Sequence, residues 1–245
     1  LPNILLHGSL IMFHPIVNQV LQLHQDTVQA WHQQPIDVFE SVDQFVSDYT
    51  PPIDDRVVES SRCPLACDLL ASPKWLETIC RQHSFNYLLW HEEDVARSPS
   101  VGDAEIAKVK RAIDGYNQKR NDWIEKVDDL LSDCIKTANI QSLPNAKLNT
   151  ETPGSTIDRL SIMSLRLYHL MEQIQRDDVD QAHREKVQQK IQLCQLQHRN
   201  LSQSLVELLS DISSGHKRHV TYRQCKMYND PTLNPAVYNA SRKAA

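Results

Sequence analysis

From about Asp103 to Thr137 the chain carries no proline and a single interior glycine, Gly115, and no other feature constrains the fold as strongly. Apolar residues recur three and four apart at Ile106, Val109 and Ile113, and again at Ile124, Val127, Leu131 and Cys134. That period predicts one long amphipathic helix, because a strand would alternate every second residue and end far sooner. Residues 180–212 repeat the pattern: Val187, Ile191, Cys194, His198, Leu201, Leu205, Leu208 and Ile212 alternate by fours and threes, a heptad seam. Ser213, Ser214 and Gly215 then supply a stop.

The remaining boundaries follow from proline and capping residues. Val17, Val20, Leu21, His24, Val28 and Trp31 predict a helix over 16–34, with a shorter one near Val38–Val46 and a polar loop from Tyr49 to Pro64. Ser72-Pro73 opens a helix running to about Arg97, and Thr152-Pro153 opens another ending near Arg176; in each pair a capping side chain precedes a proline that fits the first helical position. The expected fold is all-α, a bundle of long antiparallel helices with an irregular C-terminal tail. It is one domain overall: residues 1–72 as N-terminal helices and a proline-bearing linker, 73–215 as the bundle core, and 216–245 as a basic, aromatic tail folding back on it.

Composition removes several function classes. Five glycines among 245 residues leave little for phosphate-cradling loops, and no GxGxxG or Walker pattern occurs. A net charge of −5 gives no global pull toward nucleic acid. No apolar run reaches the roughly 18–20 residues of a membrane span, and the Ile4–Phe13 stretch lacks a basic lead and is interrupted by His7, Gly8 and Ser9, so no signal peptide is expected. Six cysteines are too few for a disulfide framework at this length, and Cys63 and Cys67 lack further ligands at metal-binding spacing. Neither Glu-x-x-His nor HExxH occurs, and His169 with Glu172 has the reverse order, so no metal ligand set is expected. No GxSxG elbow is present. The sequence names no cofactor, and the cytoplasm is the expected compartment.

The informative places are those where polar residues break a seam. On the 103–137 helix the apolar period lands on Asn117 and Arg120, with Lys110, Asp114 and Asn121 along the same side. Buried unpaired, such groups cost a few kcal/mol each, so they form either a polar pocket or a register-setting layer. Residues 87–97 crowd Tyr87, Trp90, His91, Glu92, Glu93, Asp94 and Arg97 into about three turns. His91 with Asp94 or Glu92 is an acid–base or metal-ligand candidate, against a helix end with solvated carboxylates. The Thr152–Ser155 start offers free N–H groups to an anion, with Arg159 two turns in and Asp158 beside it, against an ordinary capped core helix. In the tail, Arg223 and Lys226 stand among Tyr222 and Tyr228 and can complete an anion pocket if the tail folds back.

WHEEDVAR, KRAIDGYNQKRND, LNTETPGSTIDRLSI with Tyr168-His169, and YRQCKMYNDPTLNP occur in that order, and together they resemble the bacterial family catalogued as domain of unknown function 4254. The resemblance covers about residues 16–238. PGSTIDRLSI is also similar to the PGELIDKLTIL opening of other helical families. The resemblance implies a bacterial, cytoplasmic, helical protein often encoded beside glycosyltransferases and envelope-polysaccharide genes, and it carries over no activity, cofactor or catalytic residue. Residues 34–73 look longer than the family's usual first linker.

The expectation is therefore a protein that binds or acts on an anionic, phosphorylated, sugar- or nucleotide-sugar-like compound in envelope glycan biosynthesis. His91, Asp94, Asp114 and Asp158 are the catalytic candidates. Lys110, Asn117, Arg120, Asn121, Asn149, Thr152, Ser155, Arg159, His169, Arg223 and Lys226 are the ligand-binding candidates. The alternative is a non-catalytic adaptor for a glycosyltransferase complex. A homo-oligomer is compatible with either; a nucleic-acid partner is not expected.

Overall fold

The computed structural model describes residues 2–35, 63–227, Asp230, 232–235 and Asn239, and among these the named elements are all helices, without a named strand. The helices are α1 (Pro2–Gln33), α2 (Pro64–Leu70), α3 (Pro73–Arg97), α4 (Asp103–Thr137), α5 (Pro153–Ile174) and α6 (Gln181–Ser213). The expected helix near Val38–Val46 lies outside the described residues.

Four of the expected helices start within a residue or so of their expected positions. Ser72 precedes Pro73 at the start of α3, and Asp180 caps α6 by accepting the His183 N–H at 2.8 Å. Thr152 and Ser155 form a reciprocal capping box at the start of α5, closing two of the donors that a helix start leaves open. Two elements differ from expectation. First, α1 begins well before Pro15 and continues through it. Phe13 and Ile16 are fully buried on either side, and burying two large apolar side chains, at about 2 kcal/mol each, offsets the lost backbone bond at proline. Second, the end of the polar segment folds as α2, whose Leu65, Ala66, Leu69 and Leu70 enter the core while Cys63 meets Ser213 through Sγ and Oγ at 3.0 Å. All six cysteines are free.

The short connections after α3 and α5 make two antiparallel hairpins. On the first, Arg81 lies over Trp123 and Phe85 meets Tyr116. On the second, Arg184 of α6 caps the carbonyl of Ile174 at the end of α5. The α5 helix is central, packing against α1, α3, α4 and α6, which explains why its middle is apolar nearly all round. Its neighbour α1 crosses α2, α3, α5 and α6. The main core gathers Phe13, Ile16, Leu23, Trp31, Trp75, Ile79, Leu131, Ile157, Leu160 and Leu165 among others.

The segment after α6 turns at Gly215, whose φ of +76° falls in the region glycine adopts freely. It pairs briefly with the α4–α5 loop through Lys147 and Lys217, then runs back along α4. There His219 donates to the Asp128 carbonyl at 2.9 Å and Arg223 bridges Glu125 and Asp129. No helix among the described residues is long and apolar enough to cross a membrane.

Candidate functional site

The broken seam of α4 meets its complement on α5. Asp158 is 4% exposed and lies at the centre of a buried polar layer. Its Oδ1 accepts from Gln82 Nε2 at 2.5 Å, Asn86 Nδ2 at 2.9 Å and Arg120 Nε at 2.7 Å, while Arg120 Nη2 donates to Oδ2. The hydrogen bond to Asp158 holds the Arg120 guanidinium even more firmly in its charged form. Asn86 also donates to Ser161 Oγ at 2.7 Å, and that hydroxyl bonds His83 Nδ1 at 2.6 Å. The Asp158 carboxylate is satisfied within the layer, as a register-setting network requires, while buried Gln82 Oε1 and His83 Nε2 have no partner among the described residues. Beyond it, fully buried His83 lies against His24 and Trp31. Burial pushes His83 down to about 3 and lowers His24 well below the ordinary range, so both rings are neutral at pH 7.

The start of α5 carries its own anion. Asp128, 2% exposed on α4, accepts the Gly154 N–H through Oδ1 at 2.8 Å. Burial raises the Asp128 carboxyl, and the bonds from Thr152 and Gly154 oppose that rise. The close approach needs glycine: a Cβ on Gly154 would sit 2.7 Å from the Ile124 carbonyl oxygen and 2.9 Å from the Asp128 carboxylate. The helix terminus expected to receive a ligand anion is thus filled by a carboxylate of the chain itself.

The three arginines expected to converge are separated, each with its own acid. Arg120 binds Asp158, Arg159 binds both Glu151 oxygens at 2.8 Å on the exposed side of α5, and Arg223 binds Asp129 and Glu125 on the outer face of α4. Lys110 and Asp114 pair with each other in solvent at 2.8 Å. Asn117 and Asn121 are half-buried. Asn149 donates to the Glu151 carbonyl and accepts from Lys217, tying loop to tail. Lys226 reaches the Gln118 carbonyl at 3.4 Å, and its burial lowers the ammonium pKa. Thr152 and Ser155 are spent on capping. Asp94 is exposed beside His91.

Two further places stand out among the described residues. One is a groove of about 580 Å³ between α5 and α6, lined by Arg159, Arg166, Gln197, Asn200 and Ser204 over Ile162, Met163 and Leu201. Arg159 was legible as an anion contact; Arg166 and the α6 residues were not, because exposed polar residues on a heptad helix look like an ordinary solvated face. The other place joins His91 and His169 to His32 of α1. His32 carried no sequence signal: three ligands from three helices have no characteristic spacing.

No curated protein and no solved structure matches the chain. The family described as "protein of unknown function (DUF4254)" matches residues 76–221, which take in α3 from its second turn, α4, α5, α6 and the start of the tail. That match spans more than half of the chain, and the protein belongs to this family.

Proposed function

We propose that the protein binds an anionic, hydroxyl-rich small molecule of the sugar-phosphate or nucleotide-sugar class in the groove between α5 and α6. The observation that carries this reading is Arg166, exposed in the groove with no acidic partner among the described residues. An exposed guanidinium opposite amide and hydroxyl groups offers the forked donor geometry that phosphate oxygens accept. Gln197, Asn200 and Ser204 add donors and acceptors suited to sugar hydroxyls, and Ile162, Met163 and Leu201 give an apolar floor. A volume of about 580 Å³ suits a ligand of this size. Arg159 borders the same groove, and its pair with Glu151 is exposed enough to be re-formed around a ligand phosphate. The envelope-glycan setting fits such a ligand and is part of the proposal.

Thermal unfolding with a panel of sugar phosphates and nucleotide sugars tests it. A ligand at 100 times its Kd should add about 2.7 kcal/mol, or roughly 5–10 °C for a chain of this size. Arg166→Ala should remove that gain while leaving the unliganded midpoint unchanged. Stabilisation that survives the Arg159→Ala/Arg166→Ala double substitution would contradict the groove assignment.

A second reading, a non-catalytic adaptor for a glycosyltransferase complex, is favoured by Leu193 and Leu196 of α6, 56% and 47% exposed. Co-purification of a glycosyltransferase that is lost on Leu193→Glu/Leu196→Glu would support it over the first.

A further inference from the structure

His32 sits in the last turn of α1, His91 toward the end of α3 and His169 toward the end of α5, and the packing of these helices brings the three rings together. One ring nitrogen from each lies within 4.8 Å of the others. The Nε2 atoms of all three are buried and have no hydrogen-bond partner.

Two of the tautomers follow from the partners of the opposite nitrogens. His32 Nδ1 lies 2.7 Å from the Val28 carbonyl oxygen, which only accepts, so Nδ1 carries the hydrogen. His169 Nδ1 lies 2.7 Å from Glu172 Oε2 and donates to that carboxylate in the same way. In the neutral form of each ring, Nε2 is then a bare lone pair. Two such lone pairs and the His91 ring face one small half-buried space, an arrangement that is repulsive on its own and costs the desolvation of each acceptor. With the His91 hydrogen also on Nδ1, a water's two hydrogens do not serve three acceptors, whereas a cation converts all three into favourable contacts.

The surroundings hold the rings as ligand supports do. Trp90 stacks on His169 at 4.8 Å between centroids, and Tyr168 stacks on His32 at 4.0 Å. Tyr87 meets the edges of His32 and His91 at 5.2 and 4.5 Å, and its hydroxyl is committed to the Trp31 carbonyl at 2.8 Å. The carboxylate and carbonyl behind His169 and His32 are the partners that fix tautomer and raise basicity in metal-bound imidazoles. A tetrahedral ion with bonds of about 2.0–2.1 Å places its ligand atoms about 3.3 Å apart. Reaching that from 4.8 Å takes a closure of about 1.5 Å, within small side-chain rotations.

We propose that His32, His91 and His169 bind one divalent transition-metal ion of the zinc type through their Nε2 atoms, with Glu172 as the outer carboxylate that orients His169. Among the described residues no other His, Cys, Asp or Glu joins the cluster, so at least one coordination position stays open to a small oxygen ligand. Three neutral nitrogens leave the ion its full double charge, and an open position makes it a Lewis acid; a purely structural site would be closed by a fourth side chain. The His169 side chain keeps 20% of its surface, so the cluster lies close beneath the protein surface.

The test uses the untagged chain, stripped by chelator and titrated with cobalt(II) and zinc(II). Cobalt should bind one equivalent and give the visible absorption of a four- or five-coordinate nitrogen site, and zinc should displace it. His91→Ala and His169→Ala should each weaken zinc at least a hundredfold, and Glu172→Gln about 10–100-fold. His183→Ala, on α6 and outside the cluster, should leave affinity unchanged. Circular dichroism of the stripped variants separates lost ligation from lost folding. Should a histidine variant fail to fold, Glu172→Gln decides, since that carboxylate is 47% exposed and its loss leaves the core intact. No stoichiometric metal in the natural chain, or zinc affinity unaltered by Glu172→Gln and by every folded histidine variant, overturns the proposal.

Discussion

Replacing Arg120 by methionine should destabilise the protein by about 3 kcal/mol without touching the ligand groove. Arg120 keeps 25% of its side-chain surface and Asp158 only 5%, so the substitution strands a carboxylate that water barely reaches. Removing one partner of a buried pair costs about 3–5 kcal/mol. The partial exposure of Arg120 and the two remaining donors, Gln82 and Asn86, place this pair at the lower end. For a chain of 245 residues, about 3 kcal/mol corresponds to a midpoint lowered by roughly 6–12 °C. Urea unfolding of Arg120→Met, Asp158→Asn and the double variant measures it. Asparagine keeps a carbonyl for the Gln82 and Asn86 amides and removes the charge, so the double variant should recover at least half of the loss, a coupling of about 1.5 kcal/mol or more. A loss below about 1 kcal/mol, or additive single losses, would refute the reasoning and return Arg120 to the pool of ligand contacts.

Gly154→Ala should cost about 2–4 kcal/mol, because its methyl group meets backbone at 2.7 Å and dislodges Asp128 from the start of α5; a chemical-denaturation shift under 0.5 kcal/mol would contradict that. Stability should also fall on acidification. His24 and His83 have depressed folded pKa values, so at pH 7 both folded and unfolded forms are neutral, and below about 6.5 only the unfolded chain takes up protons. The loss grows toward pH 3 by up to about 1.4 kcal/mol per pH unit for each ring. His83→Gln, which keeps a partner for Ser161, should reduce the proton uptake on unfolding between pH 6 and 4 by about one, and an unchanged uptake would count against a neutral buried His83.

The fold was largely legible because the signals that build it are local. Proline after a capping residue sets the starts of α3 and α5, and sustained three–four spacing sets α4 and α6. Where α1 begins was not legible, since Pro15 reads as a first turn until Phe13 and Ile16 are seen packed on the core. The polar layer was half legible: Asn117 and Arg120 break the α4 seam, but Gln82, Asn86 and Ser161, which satisfy it, sit on other helices without any break in pattern. That is also why Arg120, Arg159 and Arg223 read as one site. Periodicity shows that a charge needs a partner, and only tertiary structure shows that each already has one. The histidine cluster lies furthest from sequence reach, because His32, His91 and His169 share neither a helix nor a spacing.

X-ray absorption at the zinc edge, on untagged protein loaded with one equivalent, tests the three-histidine centre most directly. The expected spectrum shows about three nitrogen neighbours at about 2.0–2.1 Å with the multiple scattering of imidazole rings, plus one lighter oxygen shell. A first shell built only from oxygen or sulfur, or one imidazole in place of three, would contradict it.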